Sequence, residues 1–221
     1  MKFTWGVLCV ALLAVAPVAF CDEATSVVAP TPSATAPTTA TAVSAPTSPK
    51  LTWPASTGAT HRLKQQGVPN FGKLNDYIWR SGQPSREGYQ QLAAAGLKTV
   101  INFREEFPQD KDRIPQGVHY VYIPIKNDYT PTEAQTKLFM DTVSNPDNWP
   151  VLIHCAAGEG RAGTMSALVR HALDGWKHDE IMKEVCNYWS RSPEDGKIPL
   201  AKRQQDFIQR WEESVALPPK S

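Results

Sequence analysis

The sequence predicts an α/β fold in a single domain, a central and mostly parallel sheet flanked by helices. Three observations predict it. From about Leu51 onward, short apolar runs alternate with stretches of helical periodicity. Val151-Leu152-Ile153 is wholly apolar, as expected of a strand buried on both faces of a parallel sheet. Met165, Leu168, Val169 and Ala172 then follow at i, i+3, i+4 and i+7, the stripe of a helix packed on that sheet.

Taken in order, Tyr77-Ile78-Trp79 is a short strand that ends in the turn Ser81-Gly82-Gln83-Pro84. Ser85 caps a helix running to Ala95, where Gly96 stops it. Leu97 to Phe103 is β-rich, and Val118 to Ile125 alternates as a further strand whose end Pro124 marks. Thr130-Pro131-Thr132-Glu133 reads as a capping box with Pro at the first helical position, opening a helix through Leu138, Phe139 and Val143. Pro146 and Pro150 close that region, and Gly175 ends the helix that follows the apolar strand. Two more helices turn Ile181, Met182, Val185 and Trp189, then Phe207, Ile208, Trp211 and Val215, inward.

The 221 residues carry 23 Lys+Arg against 22 Asp+Glu, so nothing marks a phosphate-tracking surface and no nucleic-acid partner is expected. Four cysteines without a C-x-x-C pair give no structural zinc, and His61, His119, His171 and His178 have no ligand-spaced partner, so no metal is expected. Met1 and Lys2, an apolar run and Ala19-Phe20-Cys21 make residues 1–21 a secretory signal peptide, shorter than the roughly 20 apolar residues of a membrane span. Export to the periplasm or the medium follows, with no transmembrane segment in the mature form. A lipid anchor at Cys21 is disfavoured by bulky Phe20 beside it. Residues 22–56 are dominated by Ala, Thr, Ser and Pro and have no apolar face to bury, so they read as a disordered tether before a domain at 57–217.

The chemistry lies between the apolar strand and the helix, in His154-Cys155-Ala156-Ala157-Gly158-Glu159-Gly160-Arg161. Small residues let successive backbone N–H groups turn toward one centre, and the helix N-terminus adds its positive dipole end, which makes an anion cradle. A thiol at such a place, beside cations, titrates at roughly 3.5–7.5 rather than about 8.5, so Cys155 is expected to be a thiolate near neutral pH. Arg161 can return its fork over the same centre and take two phosphate oxygens.

Cys-x5-Arg preceded by His, with Gly158 inside, resembles the cysteine-dependent protein tyrosine phosphatases. Trp79-Arg80-Ser81-Gly82-Gln83-Pro84-Ser85 and Gly96 to Arg104 extend the similarity to the dual-specificity type, especially the exported bacterial tyrosine phosphatases of the TpbA kind. The resemblance covers about Asn75 to Trp211. It implies a tyrosine or dual-specificity phosphatase fold, no cofactor, and a phosphorylated protein or small phosphomonoester as substrate. It makes Cys155 the nucleophile of a phosphocysteine mechanism, the backbone of Ala156, Ala157, Gly158, Glu159, Gly160 and Arg161 the phosphate cradle, and Arg161 the transition-state clamp. His154 matches the histidine that supports the thiolate, although a core histidine satisfied by backbone is an equal reading.

The family's general acid is an Asp after a strand upstream of the nucleophile, and Asp128 occupies that place. Asp110 and Asp112 are rivals that follow another strand. Two positions depart from the pattern. Ala162 stands where a Ser or Thr hydroxyl normally helps the sulfur leave, and Thr164 lies two places on, which predicts slow breakdown of the phosphocysteine. Glu159 sits where phosphoinositide phosphatases tend to carry Lys, which tilts the reading toward a monoester. Cys186 reads as a small buried residue rather than a redox partner of Cys155. An inositol polyphosphate phosphatase and a phosphate-binding pseudophosphatase remain the alternatives.

Overall fold

The computed structural model describes residues 58–190 and 200–216. The expected signal peptide and the whole of the expected tether lie outside them. Among the described residues five strands form one sheet: β1 (Gly72–Lys73), β2 (Ile78–Ser81), β3 (Thr99–Arg104), β4 (His119–Ile125) and β5 (Val151–His154). Their order is β1-β2-β5-β3-β4, antiparallel only between β1 and β2. Five α-helices accompany them: α1 (Arg86–Ala94), α2 (Glu133–Ser144), α3 (Gly160–Ala172), α4 (His178–Asn187) and α5 (Lys202–Ser214).

β5 is central and every one of its residues is buried, as its unbroken apolar run requires. Alternation along the strands feeds two cores. Ile78, Ile101, Phe103, Val151 and Ile153 pack with Phe139 of α2 and Met165, Leu168 and Val169 of α3. On the other face Trp79, Val100 and Leu152 pack with Tyr89 and Leu92 of α1. Ala167 of α3, Ile181 and Val185 of α4 and Ile208 of α5 make a third cluster with Trp176 and Leu200.

One local expectation is corrected. The cap of α2 is Thr132, whose hydroxyl accepts from Gln135 N at 3.2 Å while the Gln135 side chain accepts from Thr132 N at 2.8 Å. Thr130 and Pro131 therefore precede the helix: Glu133 also stands three residues beyond Thr130, but the reciprocal bonds form between Thr132 and Gln135. β4 ends at Ile125, one residue past Pro124, as expected. β4 is the edge strand, where a missing N–H breaks no ladder bond. Ser85 caps α1 as expected, accepting from Gly88 N, and Gly96 beyond it has φ +97°.

Candidate active site

Parallel strands whose helices cover both faces leave a crevice outside their carboxyl ends. Here four such ends meet. β5 runs into Cys155 and the loop to α3, β2 into Ser81-Gly82-Gln83, β3 into Arg104 and Glu106, and β4 into Lys126-Asn127-Asp128-Tyr129.

The loop carbonyls are tied outward. Gln83 N donates to Ala156 O at 2.9 Å, Asn70 Nδ2 to Ala157 O at 3.0 Å and Arg80 Nη2 to Gly158 O at 2.7 Å. Helix bonds from Gly163 N and Thr164 Oγ1 take Glu159 O and Gly160 O, at 2.6 Å and 2.9 Å. Because a peptide's C=O and N–H point opposite ways, this leaves the N–H groups of Ala157 to Arg161 facing the other side, around the Cys155 sulfur. Gly158 N donates to that sulfur at 3.2 Å. Gly158 needs its lack of a side chain, since its φ is +76° and a Cβ there would lie 2.5 Å from Gly82 N.

Arg161 is 3 % exposed, and Glu106 grips it end-on, with Nη1 and Nη2 at 2.7 Å and 2.9 Å from the two carboxylate oxygens. Nη1 also donates to Ile125 O at 3.1 Å. The Nε/Nη2 edge of the fork is thereby left for a bidentate phosphate. Burial works against the Arg161 charge, but Glu106 and the Cys155 sulfur outweigh it and raise the guanidinium above its ordinary value. Hydrogen bonds from Arg161 in turn hold the Glu106 carboxyl down at about 2, so the pair stays charged across any ordinary pH.

Arg80 is fully buried beneath the loop, its guanidinium 3.8 Å from the centre of the Tyr188 ring. Burial lowers it below its ordinary value, against the raising influence of Tyr188, Glu184 and Cys155. Its placement adds a fixed positive charge to the loop's floor.

His154 is fully buried, with Nε2 3.1 Å from both Tyr89 Oη and Asp110 Oδ2. Asp110, a rival for the general acid, is thus a buried carboxylate in a short 3-10 helix (Pro108–Arg113), accepting also from Tyr89 Oη at 2.5 Å and Gln83 Nε2 at 2.7 Å. Sealed in that way it cannot reach a leaving group. Asp112 is exposed on the same short helix. Asp128 is exposed, with φ +61°, in the loop after β4. Its neighbour Tyr129 fixes the loop: Gln204 Nε2 donates to Tyr129 O at 3.2 Å, and Lys126 and Arg203 lie 4.9 Å and 4.2 Å from the ring centre.

Glu159 turns away from the cradle and accepts from Ser190 N at 3.0 Å, which weakens the argument that its charge repels multiply phosphorylated substrates. Thr164 spends its hydroxyl on Gly160 O, so it does not replace the hydroxyl missing at Ala162, which is itself fully buried. Cys155 and Cys186 are both free thiols, and burial raises the Cys186 thiol, the opposite of a redox-poised thiolate. No cluster of three metal-ligating side chains occurs among the described residues, and none of their helices is long and apolar enough to cross a membrane.

Sequence reasoning did not assign Asn70, Tyr89, Arg80, Gln83 and Glu106. Arg80 and Gln83 were within reach, in the segment before α1 that shares the family resemblance. Tyr89 and Glu106 read only as helix and loop residues, because their roles depend on pairing between distant parts of the chain.

The family model described as DSP-PTPase phosphatase fused to NAD+ kinase matches residues 64–201. OCA1 of Eremothecium gossypii, by name a tyrosine-protein phosphatase, is 30% identical over 160 residues, covering 66% of this chain and 68% of that protein. Among solved structures, the catalytic core of the PP-IP phosphatase SIW14 of S. cerevisiae superposes with TM-score 0.57 at 23% identity, over 68% of this chain and 90% of that one. TpbA of P. aeruginosa gives 0.58 at 19%, over 72% and 98%, and at those identities both likenesses speak for the fold alone. With the matched span running from before β1 to the start of α5, the chain belongs to the dual-specificity and protein-tyrosine phosphatase family of phosphoric monoester hydrolases.

Proposed function

We propose that the protein is an exported phosphatase that hydrolyses phosphotyrosine, or phosphotyrosine and phosphoserine or phosphothreonine alike, through a phosphocysteine intermediate. The observation that carries this reading is the outward tying of the carbonyls of residues 156 to 160 around Cys155. It leaves a half-ring of N–H donors for three phosphoryl oxygens, preorganised before substrate arrives. Arg161 closes the ring with its free edge. The Cys155 thiolate attacks phosphorus in line, a P–S bond forms and the P–O bond to the leaving group breaks. Asp128 protonates the departing oxygen, then takes a proton from the water that cleaves P–S and releases phosphate.

Hydrolysis of p-nitrophenyl phosphate tests this. Cys155→Ser should abolish turnover, and Asp128→Asn should lower kcat by about 10²–10⁴ with phosphate binding retained. Activity surviving Cys155→Ser would overturn the mechanism, and an inactive wild type would favour the pseudophosphatase. Export rests on residues 1–21, and it requires the mature protein in the periplasm or medium to begin at Asp22; a mature chain that keeps Met1 there sinks that part.

A second reading, an inositol polyphosphate phosphatase, is favoured by two observations. Glu159 is turned onto Ser190 N, and Lys126 and Arg203 flank Tyr129 beside Asp128. Parallel assays on phosphotyrosine peptides and inositol polyphosphates separate the two readings.

A further inference from the structure

We infer that Asp110 is a positioning residue for Cys155 that acts through His154. The inference rests on the reading of Cys155 as nucleophile. Asp110 and His154 are both fully buried, and Asp110 Oδ2 lies 3.1 Å from His154 Nε2, which therefore carries hydrogen. At the other side of the ring, Nδ1 lies 3.4 Å from Cys155 O. A bare Nδ1 lone pair would face the lone pairs of that carbonyl. Hydrogen on both nitrogens answers both acceptors, and the resulting Asp110 carboxylate and His154 imidazolium form a buried pair whose positive end lies beside Cys155. The pair thus holds the first residue of the loop in place and supports negative charge on its sulfur.

The groups that face this pair come from every surrounding element. Tyr89 of α1 donates to Asp110, and Gln83 donates to the same carboxylate while accepting from Arg104 Nη1 of β3 at 3.0 Å. Tyr120 of β4 lies in the field of Asp110, and Arg80 of β2 in that of Cys155. Burial pushes the Asp110 carboxyl up, yet His154, Tyr89 and Gln83 together hold it below its ordinary value. The carboxylate is therefore charged at neutral pH. A buried charge with three donors is costly to remove in part, which is why the substitution used should keep the shape.

The test is the pH dependence of Cys155 alkylation by iodoacetamide, followed on the Cys155 peptide by mass spectrometry, alongside the acid limb of kcat/KM. Asp110→Asn should move the half-maximal pH of alkylation upward by about one unit, with the acid limb moving alike. In a His154→Gln background the same substitution should add no further shift, since the effect runs through the imidazole. An unmoved alkylation curve in Asp110→Asn, or a full shift retained without His154, would overturn the inference. If Asp110→Asn does not fold, the nitrogen NMR spectrum of wild type decides, with His154 assigned by its loss in His154→Gln. Both ring nitrogens should carry hydrogen at neutral pH, and a neutral ring would contradict the proposal. Alkylation needs no substrate. An alkylation shift in Asp110→Asn, with a wild type that hydrolyses no phosphomonoester, therefore refutes the phosphatase reading and leaves this one standing.

Discussion

Ala162 is the residue whose identity most alters the expected kinetics. It follows Arg161 directly, is fully buried, and offers no hydroxyl to the sulfur when the P–S bond breaks. Thr164 cannot substitute, since its Oγ1 donates to Gly160 O at 2.9 Å and helps hold the loop instead. Binding and the first chemical step depend on Arg161, Glu106 and the loop N–H groups, which are intact. The loss therefore falls on the second step. A pre-steady-state burst of p-nitrophenol equal to the enzyme concentration, followed by slow turnover, is expected. Ala162→Ser should raise the steady-state rate by about tenfold, the order expected of one added hydrogen bond to a leaving charge, without changing the burst amplitude. Turnover with no burst in the wild type would place the slow step at substrate cleavage.

At the scale of elements, the buried stretches were the most legible in the sequence. β5 and α3 were read correctly because a wholly apolar run and an i, i+3, i+4, i+7 stripe each have one packing solution beside a parallel sheet. The start of α2 was read two residues early, because Thr130 and Thr132 both suit a cap and the choice turns on Gln135 reaching back. β4 ends at Ile125, one residue past the Pro124 that marked its end, and its place at the sheet edge leaves the missing N–H harmless. β1 was not foreseen, since two residues carry no period and form a strand only by pairing with Trp79 and Arg80. The loop from Cys155 to Arg161 is likewise an element whose shape is imposed from outside, by Asn70, Arg80 and Gln83 pulling on its carbonyls. Its Cys, Gly and Arg are visible in sequence; the three donors that shape it are distant in the chain.

At the scale of the whole molecule, the order β1-β2-β5-β3-β4 explains why one short motif suffices to signal function. The strand that carries Cys155 is flanked by β2 and β3, so the residues beyond each of those strands fall on the loop it feeds. Arg161 and His154 of the loop's own segment are met there by Glu106 and Asp110 from the segment after β3, and Asp128 lies in the loop after β4, at the same end of the sheet. Near-neutral net charge is compatible with this, because one guanidinium and a half-ring of N–H groups hold one phosphate without a basic surface. On the proposed mechanism the Cys155 sulfur becomes covalently phosphorylated in each turnover. Acid quenching during the first turnover of p-nitrophenyl phosphate, followed by mass spectrometry of the intact protein and its peptides, measures that directly. One phosphoryl group on the Cys155 peptide, approaching one per enzyme because Ala162 slows its release, is the predicted result. Phosphoryl on another residue, or steady turnover with Cys155 unmodified, would contradict it.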